Sequence, residues 1–441
     1  MAVERGQSHS DDLLRGRAVN ELSAPDRNLA TTLVLGVLRW QIQLDHQLRT
    51  LLKRPNAKLD REILIALRMG AFQILHLDRI PPRAAIDESV ELAKQSGHKF
   101  ASGMVNAVLR KLCEVPRGVD LSGETGAELA LAPAHPAWMV ERWADAYGLE
   151  AARAICRHGQ SQPALAIRLG NPEAEEELVK AGIQLEPGEL LKTARAVITG
   201  DVTATAAFRE GRVRLQDEGS QLVAEIAAGA FNCAGQKVKN MIDTCAAPGG
   251  KTLILAERNP LARIVACESS PQRFDQLQTR LAGHGDRIEC RHADATELND
   301  DGVFDLALAD VPCSGTGTLG RNPEIRHRLK LEELPRQAVR QRALLSAALR
   351  AVRVGGRVVY STCSLEPEEN EQVVETFLAE GAEAKLASLE SCIEALKSNG
   401  ILTASGAKRL QDCLTPNGPL RLLPGVFHTD GFFIAMLERT A

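Results

Sequence analysis

Five short β-prone segments in the second half of the chain, Val238–Asp243, Ile264–Glu268, Ile288–His292, Phe304–Asp310 and Gly356–Ser361, alternate with helical stretches. Nothing else in the sequence constrains the fold as much. Parallel strands need crossover connections of about a dozen residues or more, and they bury both faces, so they read as brief apolar runs between helices. The alternation predicts an α/β domain over residues 213–441 with a doubly wound, mainly parallel sheet. Ligands of such sheets collect at the carboxyl ends of the strands. The helix Pro335–Val352 is the clearest crossover.

The first half reads differently. Over residues 1–115 the apolar positions recur at helical spacing: Leu29, Leu33, Val34, Val37 and Leu38 on one face, then Ile63, Leu67, Gly70, Ala71, Ile74 and Leu75 on another. Pro81-Pro82 interrupts the pattern, after which Ile86 and Val90 and then Met104, Val105, Val108 and Leu112 mark two more helices. An all-α domain is expected there. A loop-rich linker over 116–134, carrying Pro116, Gly118, Gly123, Gly126 and Pro133, separates it from a small α+β domain over 135–212. That domain opens with a helix from Trp138 to Tyr147 and has short strands near Ala164–Leu169, Ala194–Ile198 and Arg212–Leu215.

Composition excludes several classes of protein. With 44% hydrophobic and 25% charged residues the chain is neither disordered nor collagen-like. No apolar run reaches membrane-spanning length, and the N-terminus MAVERGQSHSDD lacks the core of a secretory signal, so a cytoplasmic location is expected. None of the ten cysteines forms a C-x-x-C pair, which argues against a zinc ribbon, and no metal site is expected. The net charge of −4 gives no overall basic coat, yet residues 321–357 hold ten Lys/Arg against the acids Glu324, Glu332 and Glu333. Such a run is either a solvated helix face or a local surface for a phosphate backbone.

Three motifs fall after strand ends. In Asp243-Thr-Cys-Ala-Ala-Pro-Gly-Gly-Lys-Thr252, glycines open a helix and let a ligand approach the backbone. A P-loop would need glycine where Cys245 stands. Spacing alone leaves a ligand loop and a structural tight turn equally open. Glu268 ends the second strand, where a doubly wound fold binds ribose hydroxyls, and Asp294 follows the third. Either acid alone reads as readily as a helix cap.

The second motif, Asp310-Val-Pro-Cys313-Ser-Gly-Thr-Gly-Thr-Leu-Gly320, contains G-x-G-x-x-G, but an arginine-rich stretch (Arg321, Arg326, Arg328) follows it instead of the first helix of a dinucleotide fold. A zinc deaminase would need Pro-Cys-x-x-Cys, and residue 316 is threonine. The third, Tyr360-Ser-Thr-Cys363-Ser-Leu-Glu-Pro-Glu-Glu-Asn370, places a second cysteine after another strand.

In combination these motifs, with Leu215-Gln-Asp-Glu-Gly-Ser-Gln-Leu222, resemble the Sun family of RNA cytosine-5 methyltransferases, and within it the bacterial Sun/Fmu subgroup acting on small-subunit ribosomal RNA. His135-Pro-Ala-Trp138, Trp143 and Tyr147 are similar to the family's segment before the catalytic domain. Residues 1–115, with Asp26-Arg27 and Asn106-Ala-Val-Leu-Arg110, resemble the subgroup's NusB-like RNA-binding module. Glu268 and Glu324 stand where the family more often has aspartate.

The resemblance implies a Rossmann-like methyltransferase domain that uses S-adenosylmethionine, held by Cys245, Ala246, Ala247, Pro248, Gly249, Gly250, Lys251, Glu268, Arg273, Asp294 and Asp310. It implies Cys363 as the attacking nucleophile and Cys313 as the residue that releases product, with Asp310 catalytic as well. The expected partner is RNA, bound by a monomer without an obligate protein partner, with Arg321, Arg326, Arg328 and Arg340 as candidate phosphate contacts. Other readings are a transfer-RNA target, methylation of DNA cytosine or a protein side chain, and a non-catalytic ribosome-assembly factor.

Overall fold

The computed structural model describes residues 2–3, 10–14, 16–114, 123, 125, 129, 134–230 and 238–441, so most of the expected linker at 116–134, and Cys233, lie outside the described residues. The chain divides into two compact units, Met1–Gln162 with Thr318–Leu329, and Pro163–Gly317 with Lys330–Ala441.

The first unit is helical. Its main helices are α1 (Ala24–Leu51), α2 (Arg61–His76), α3 (Pro82–Gln95), α4 (Ser102–Leu112), α5 (Ala137–Tyr147) and α6 (Leu149–Gln160). Ser23 caps α1 by accepting from the Asp26 backbone N–H, with Pro25 in the first turn. Pro82 likewise starts α3, so the Pro81-Pro82 break is a helix start.

The core joins Leu44 and Leu48 of α1 to Ile63, Leu67, Ala71 and Ile74 of α2 and to Val105, Leu109 and Leu112 of α4. The face expected for α1 is only partly right. Leu38 is buried, but Leu29 and Val34 are exposed, because the buried stripe runs through Gly36, Leu38, Gln43, Leu44 and Leu48 toward the far end of the helix. Helical periodicity shows that a face is apolar and leaves open which part of it is covered.

The second unit holds two sheets. A small antiparallel sheet has the order β2-β3-β1-β4, from β1 (Leu165–Leu169), β2 (Gln184–Pro187), β3 (Ala194–Thr199) and β4 (Val213–Leu215), with α7 (Pro172–Lys180) packed on it. After α8 (Glu218–Gly229) come β5 (Asn240–Asp243), α9 (Gly250–Arg258), β6 (Arg263–Glu268), α10 (Pro271–Leu281), β7 (Ile288–His292), β8 (Phe304–Asp310), α11 (Leu334–Ala351), β9 (Val352–Thr362) and α12 (Glu371–Ala379). Then follow β10 (Ala384–Ala387), β11 (Leu420–Leu422) and β12 (Phe432–Arg439).

The large sheet has the order β10-β12-β9-β8-β5-β6-β7, with β11 on β12. β5 to β9 are parallel, and β12 joins β9 antiparallel. The fold is therefore an α/β Rossmann-like domain with a mainly parallel sheet, preceded by an α+β and an all-α region. The five expected strands are all present, three of them to within a residue, while β5 starts two residues later than expected and β9 four residues earlier. β12 carries no period-2 pattern, since Phe432 to Leu437 are all buried, and its place between β9 and β10 is a tertiary outcome.

The helical core offers a direct check. A methyl group on Gly36 would come within 2.0 Å of the Phe72 ring, so Gly36→Ala should overpack the α1–α2 contact and cost about 1–3 kcal/mol. All three tryptophans, Trp40, Trp138 and Trp143, belong to the first unit. A lower denaturation midpoint for Gly36→Ala, followed by tryptophan fluorescence, is the expected result.

Candidate active site

The sheet order reverses at β5, with β6 and β7 on one side and β8 and β9 on the other, and the motif loops converge at the carboxyl ends there. Asp243 is level with Leu308 of β8, and Asp310 is level with Ser361 of β9. This parallel register sets the loops after residues 243, 310 and 362 side by side.

The loop after β5 turns through Gly249 at φ +95°, a conformation that side chains rarely adopt, and α9 begins at Gly250 with no side-chain cap on its first turn. The Ala246 N–H donates to the Cys267 carbonyl at 2.8 Å and Gly249 N–H to the Ala246 carbonyl at 2.7 Å, which ties the loop to β6. Asp243 is buried. Its Oδ2 accepts from the Thr252 hydroxyl at 2.7 Å, while Oδ1 has no hydrogen-bond partner. Burial, and then the charge of Asp310 against the Thr252 hydrogen bond, pushes its carboxyl up to about 6. Cys245 is a half-buried thiol, and burial pushes its pKa upward. A glycine turn leading into an uncapped helix start, beside a buried carboxylate oxygen, suits a polar ligand.

Lys251, in the first turn of α9, reaches Asp310 at the end of β8, with 2.7 Å between Nζ and Oδ2. Burial works against the ammonium, but Asp310, with a smaller contribution from Cys363, holds Lys251 above its ordinary range. The Ser361 hydroxyl donates to the other Asp310 oxygen at 2.6 Å. Lys251 also sits over the Phe432 ring, 5.7 Å from its centroid.

Glu268 is buried at the end of β6. It accepts from the Ser270 N–H at 2.9 Å and pairs with Arg273 at 3.4 Å, and Arg273 also donates to the Ala247 carbonyl at 2.7 Å. Asp294 stands apart. It is exposed after β7, and its Oδ1 accepts from the backbone and hydroxyl of Thr296, the former hydrogen bond lowering its pKa.

The two motif cysteines meet. Cys313 Sγ lies 3.4 Å from Cys363 Sγ. Their loops are held by a backbone link from Gly317 N–H to the Cys363 carbonyl at 2.9 Å, and a Cβ on Gly317 would fall 2.5 Å from the Gly431 carbonyl oxygen. The hydrogen bond to Cys363, then burial, then the charges of Cys363 and Glu369 hold the Cys313 thiol well above its usual range. The protonated form of Cys313 is thereby favoured, and either thiol can donate across the pair.

Several residues here were not singled out in the sequence. Ser361 and Glu369 lie inside a recognised motif, but only the fold shows their contacts. Phe432 and Gln341 come from elements whose sequence carries no chemical signal. Arg326, expected at a phosphate, is instead buried, and its guanidinium donates to the carbonyls of Arg39, Ala134, Gly159 and Leu319. Burial, then Arg39, lowers it to about 9. Arg340 on α11 is exposed.

Comparison with known proteins shows the family. Residues 232–438 match the model of the 16S rRNA methyltransferase RsmB/F family, residues 3–114 that of the NusB family, and residues 135–197 that of the RsmF/B-like ferredoxin-like domain. The chain is 33% identical to the "Probable ribosomal RNA small subunit methyltransferase B" of Bacillus subtilis, over 99% of its own length and 96% of that protein's. It is 30% identical to ribosomal RNA small subunit methyltransferase B of Escherichia coli K12, over 99% and 95%. The chain belongs to this methyltransferase family. A crystal structure of the protein PH0851 shares the fold at TM-score 0.77 and 24% identity, over 99% of this chain and 97% of that one.

The buried acid Asp243 gives a pH test. Its folded pKa, about 6, exceeds its ordinary 3.8, so the folded state binds the proton more tightly than the unfolded chain. The stability this contributes is complete below about pH 4 and is lost as pH rises through 6. Asp243→Asn should flatten the fall in melting temperature between pH 4 and 7, measured by calorimetry. An unchanged slope would show that Asp243 ionises normally in the folded protein.

Proposed function

We propose that this chain transfers the methyl group of S-adenosylmethionine to C5 of a cytosine in small-subunit ribosomal RNA, through a covalent bond between Cys363 and C6 of the base. The observation that carries the reading is the pair of sulfurs 3.4 Å apart beside the Lys251–Asp310 ion pair. The names of the relatives support ribosomal RNA as the substrate.

Cofactor contacts are assigned to the loop Cys245, Ala246, Ala247, Pro248, Gly249, Gly250 and Lys251, and to Glu268, Arg273, Asp294 and Asp310. The glycine turn and the unpartnered Asp243 oxygen suit such a ligand, and Asp243 joins the set. When bound, S-adenosylmethionine supplies an electrophilic methyl group. Glu268, already oriented by Ser270 and Arg273, is placed to accept from ribose hydroxyls.

C5 of cytosine is too weak a nucleophile to take that methyl unaided. Addition of a thiolate at C6 turns the ring into an enamine whose C5 is reactive. Cys363 makes this addition. It is favoured by the proton that Cys313 offers its sulfur and by the nearby Lys251 ammonium. Asp310, fixed from both sides by Lys251 and Ser361, hydrogen-bonds the N3/N4 edge of the base and stabilises the charge that shifts there.

Once Cys363 is a thioether, its sulfur is uncharged and only a weak acceptor, so it opposes the ionisation of Cys313 far less. Cys313 then releases its proton to solvent and takes the proton from C5, and the electrons of the C5–H bond expel Cys363 as a thiolate. The base regains its aromatic ring carrying the methyl group, and Cys313 regains its proton. The target base must leave its stack to admit both reactants, so a single-stranded or extruded cytosine is required.

The test uses tritiated S-adenosylmethionine, small-subunit ribosomal RNA, and wild-type, Cys363→Ala and Cys313→Ala proteins. Cys363→Ala should lose methylation and adduct together, while Cys313→Ala should accumulate a denaturation-resistant protein–RNA adduct. Methylation by Cys363→Ala would overturn the mechanism. A wild-type protein that binds cofactor but labels no RNA would overturn the substrate.

A further inference from the structure

Glu369 has no part in the reaction as described, yet it is the acid most closely bound to both cysteine loops. Its side chain is wholly buried. One carboxylate oxygen accepts from the Ser314 backbone N–H at 2.9 Å and from the Gln341 amide at 3.0 Å. The other accepts from the hydroxyls of Ser314 and Ser364, the latter at 2.5 Å. Ser314 directly follows Cys313, and Ser364 directly follows Cys363. One carboxylate thus grips the residue after each thiol.

All four of these donors are neutral. A charge buried among such donors acts on its surroundings with little screening. The charged and titratable groups around the two sulfurs are unevenly placed. Glu369 holds the Cys313 side by two contacts, the N–H and hydroxyl of Ser314, and the Cys363 side by one, the Ser364 hydroxyl. Its charge raises Cys313, while the Lys251 ammonium, bound to Asp310, interacts with Cys363. Tyr360 bonds its hydroxyl to the Glu369 backbone carbonyl at 2.6 Å, and burial, then the neighbouring Cys313, Glu369 and Asp310, keep it neutral.

We propose that Glu369 is a positioning residue that makes the two cysteines inequivalent: it fixes both loops and, by its charge, keeps Cys313 the less reactive thiol. This rests on the assignment of Cys363 as the nucleophile. Scaffold and charge are separable. In Glu369→Gln the amide oxygen can still accept from Ser314 N–H and Gln341, and the amide nitrogen can donate to the two serine hydroxyls, which rotate to accept. The shape is kept and the charge is lost.

The experiment follows the rate of alkylation of Cys313 and Cys363 separately, by iodoacetamide and peptide mass spectrometry, across pH 6.5–9 in the full-length protein without RNA. In the wild type, Cys363 should react at least about tenfold faster than Cys313, the equivalent of one pKa unit. In Glu369→Gln, with an unchanged melting temperature, that ratio should fall by about threefold or more as Cys313 becomes reactive. Ser314→Ala keeps the charge while removing one donor, and it should keep most of the selectivity.

An unchanged ratio in folded Glu369→Gln would overturn the proposal. So would a loss of selectivity as large in Ser314→Ala, which would make Glu369 a scaffold alone. Should Glu369→Gln fail to fold, Glu369→Asp with its retained charge provides the comparison: the wild-type ratio supports the proposal, and a collapsed ratio in a folded protein opposes it. The readout needs no methyl transfer. A wild-type protein whose Cys313 is the faster thiol would instead sink the nucleophile assignment itself.

Discussion

The parallel register of β5, β8 and β9 is the constraint on which the site depends. Strands in a parallel sheet all deliver their carboxyl ends to one edge, and here Asp243 is level with Leu308 and Asp310 with Ser361. Three loops far apart in sequence therefore begin side by side, and short side chains suffice to join them. Lys251 spans from the first turn of α9 to Asp310, and Ser361 completes the carboxylate's contacts from the next strand. Removing one partner of such a mostly buried pair leaves a charge uncompensated, which typically costs about 3–5 kcal/mol. A one-residue slip of β8 against β9 would turn Asp310 to the opposite face and break the arrangement at once.

Much of this was legible in the sequence because the parallel strands obey local rules. Most of β5 to β9 are short runs with helices between them, only a single 3-10 turn lying between β7 and β8, and each motif begins at or near the end of a strand. The two cysteines could be placed at two strand ends of one sheet from this pattern, but their adjacency and 3.4 Å separation could not, since they depend on β8 pairing with β9 and on the Gly317 turn meeting the backbone of Cys363. The opposite case is β12. Its continuous apolar run fits a buried helix as well as a strand, and only pairing with β9 and β10 decides. Phe432, which lies beneath Lys251, was hidden for the same reason.

The arginine-rich run shows how charge in a sequence differs from charge on a surface. Arg326 lies among positive residues that suggest a phosphate site, but its guanidinium is spent on four backbone carbonyls. The fork of five N–H donors makes arginine suited to gather several carbonyls at one point, which a lysine could not do with the same geometry. Its neighbour Glu324 is also buried and accepts from the backbone and hydroxyl of Ser10. Counting lysines and arginines in a window cannot separate such a structural cation from an exposed one such as Arg340, because the burial that distinguishes them is set by segments distant in sequence.

Two thiols in contact pose a problem that one thiol does not. Chemically identical groups at 3.4 Å share a single favourable ionisation, since a second negative charge beside the first is strongly opposed. Which sulfur carries it must be decided by the neighbours. Cys363 has the Lys251 ammonium on its side, and Cys313 has the Glu369 carboxylate on its own. In the proposed mechanism the asymmetry reverses its effect once Cys363 is bonded to carbon: its sulfur is then uncharged and only a weak acceptor, and the largest influence holding the Cys313 proton is much reduced. A fixed arrangement of charges can thus favour one thiolate before the covalent bond forms and release the other afterwards, without any movement of the backbone.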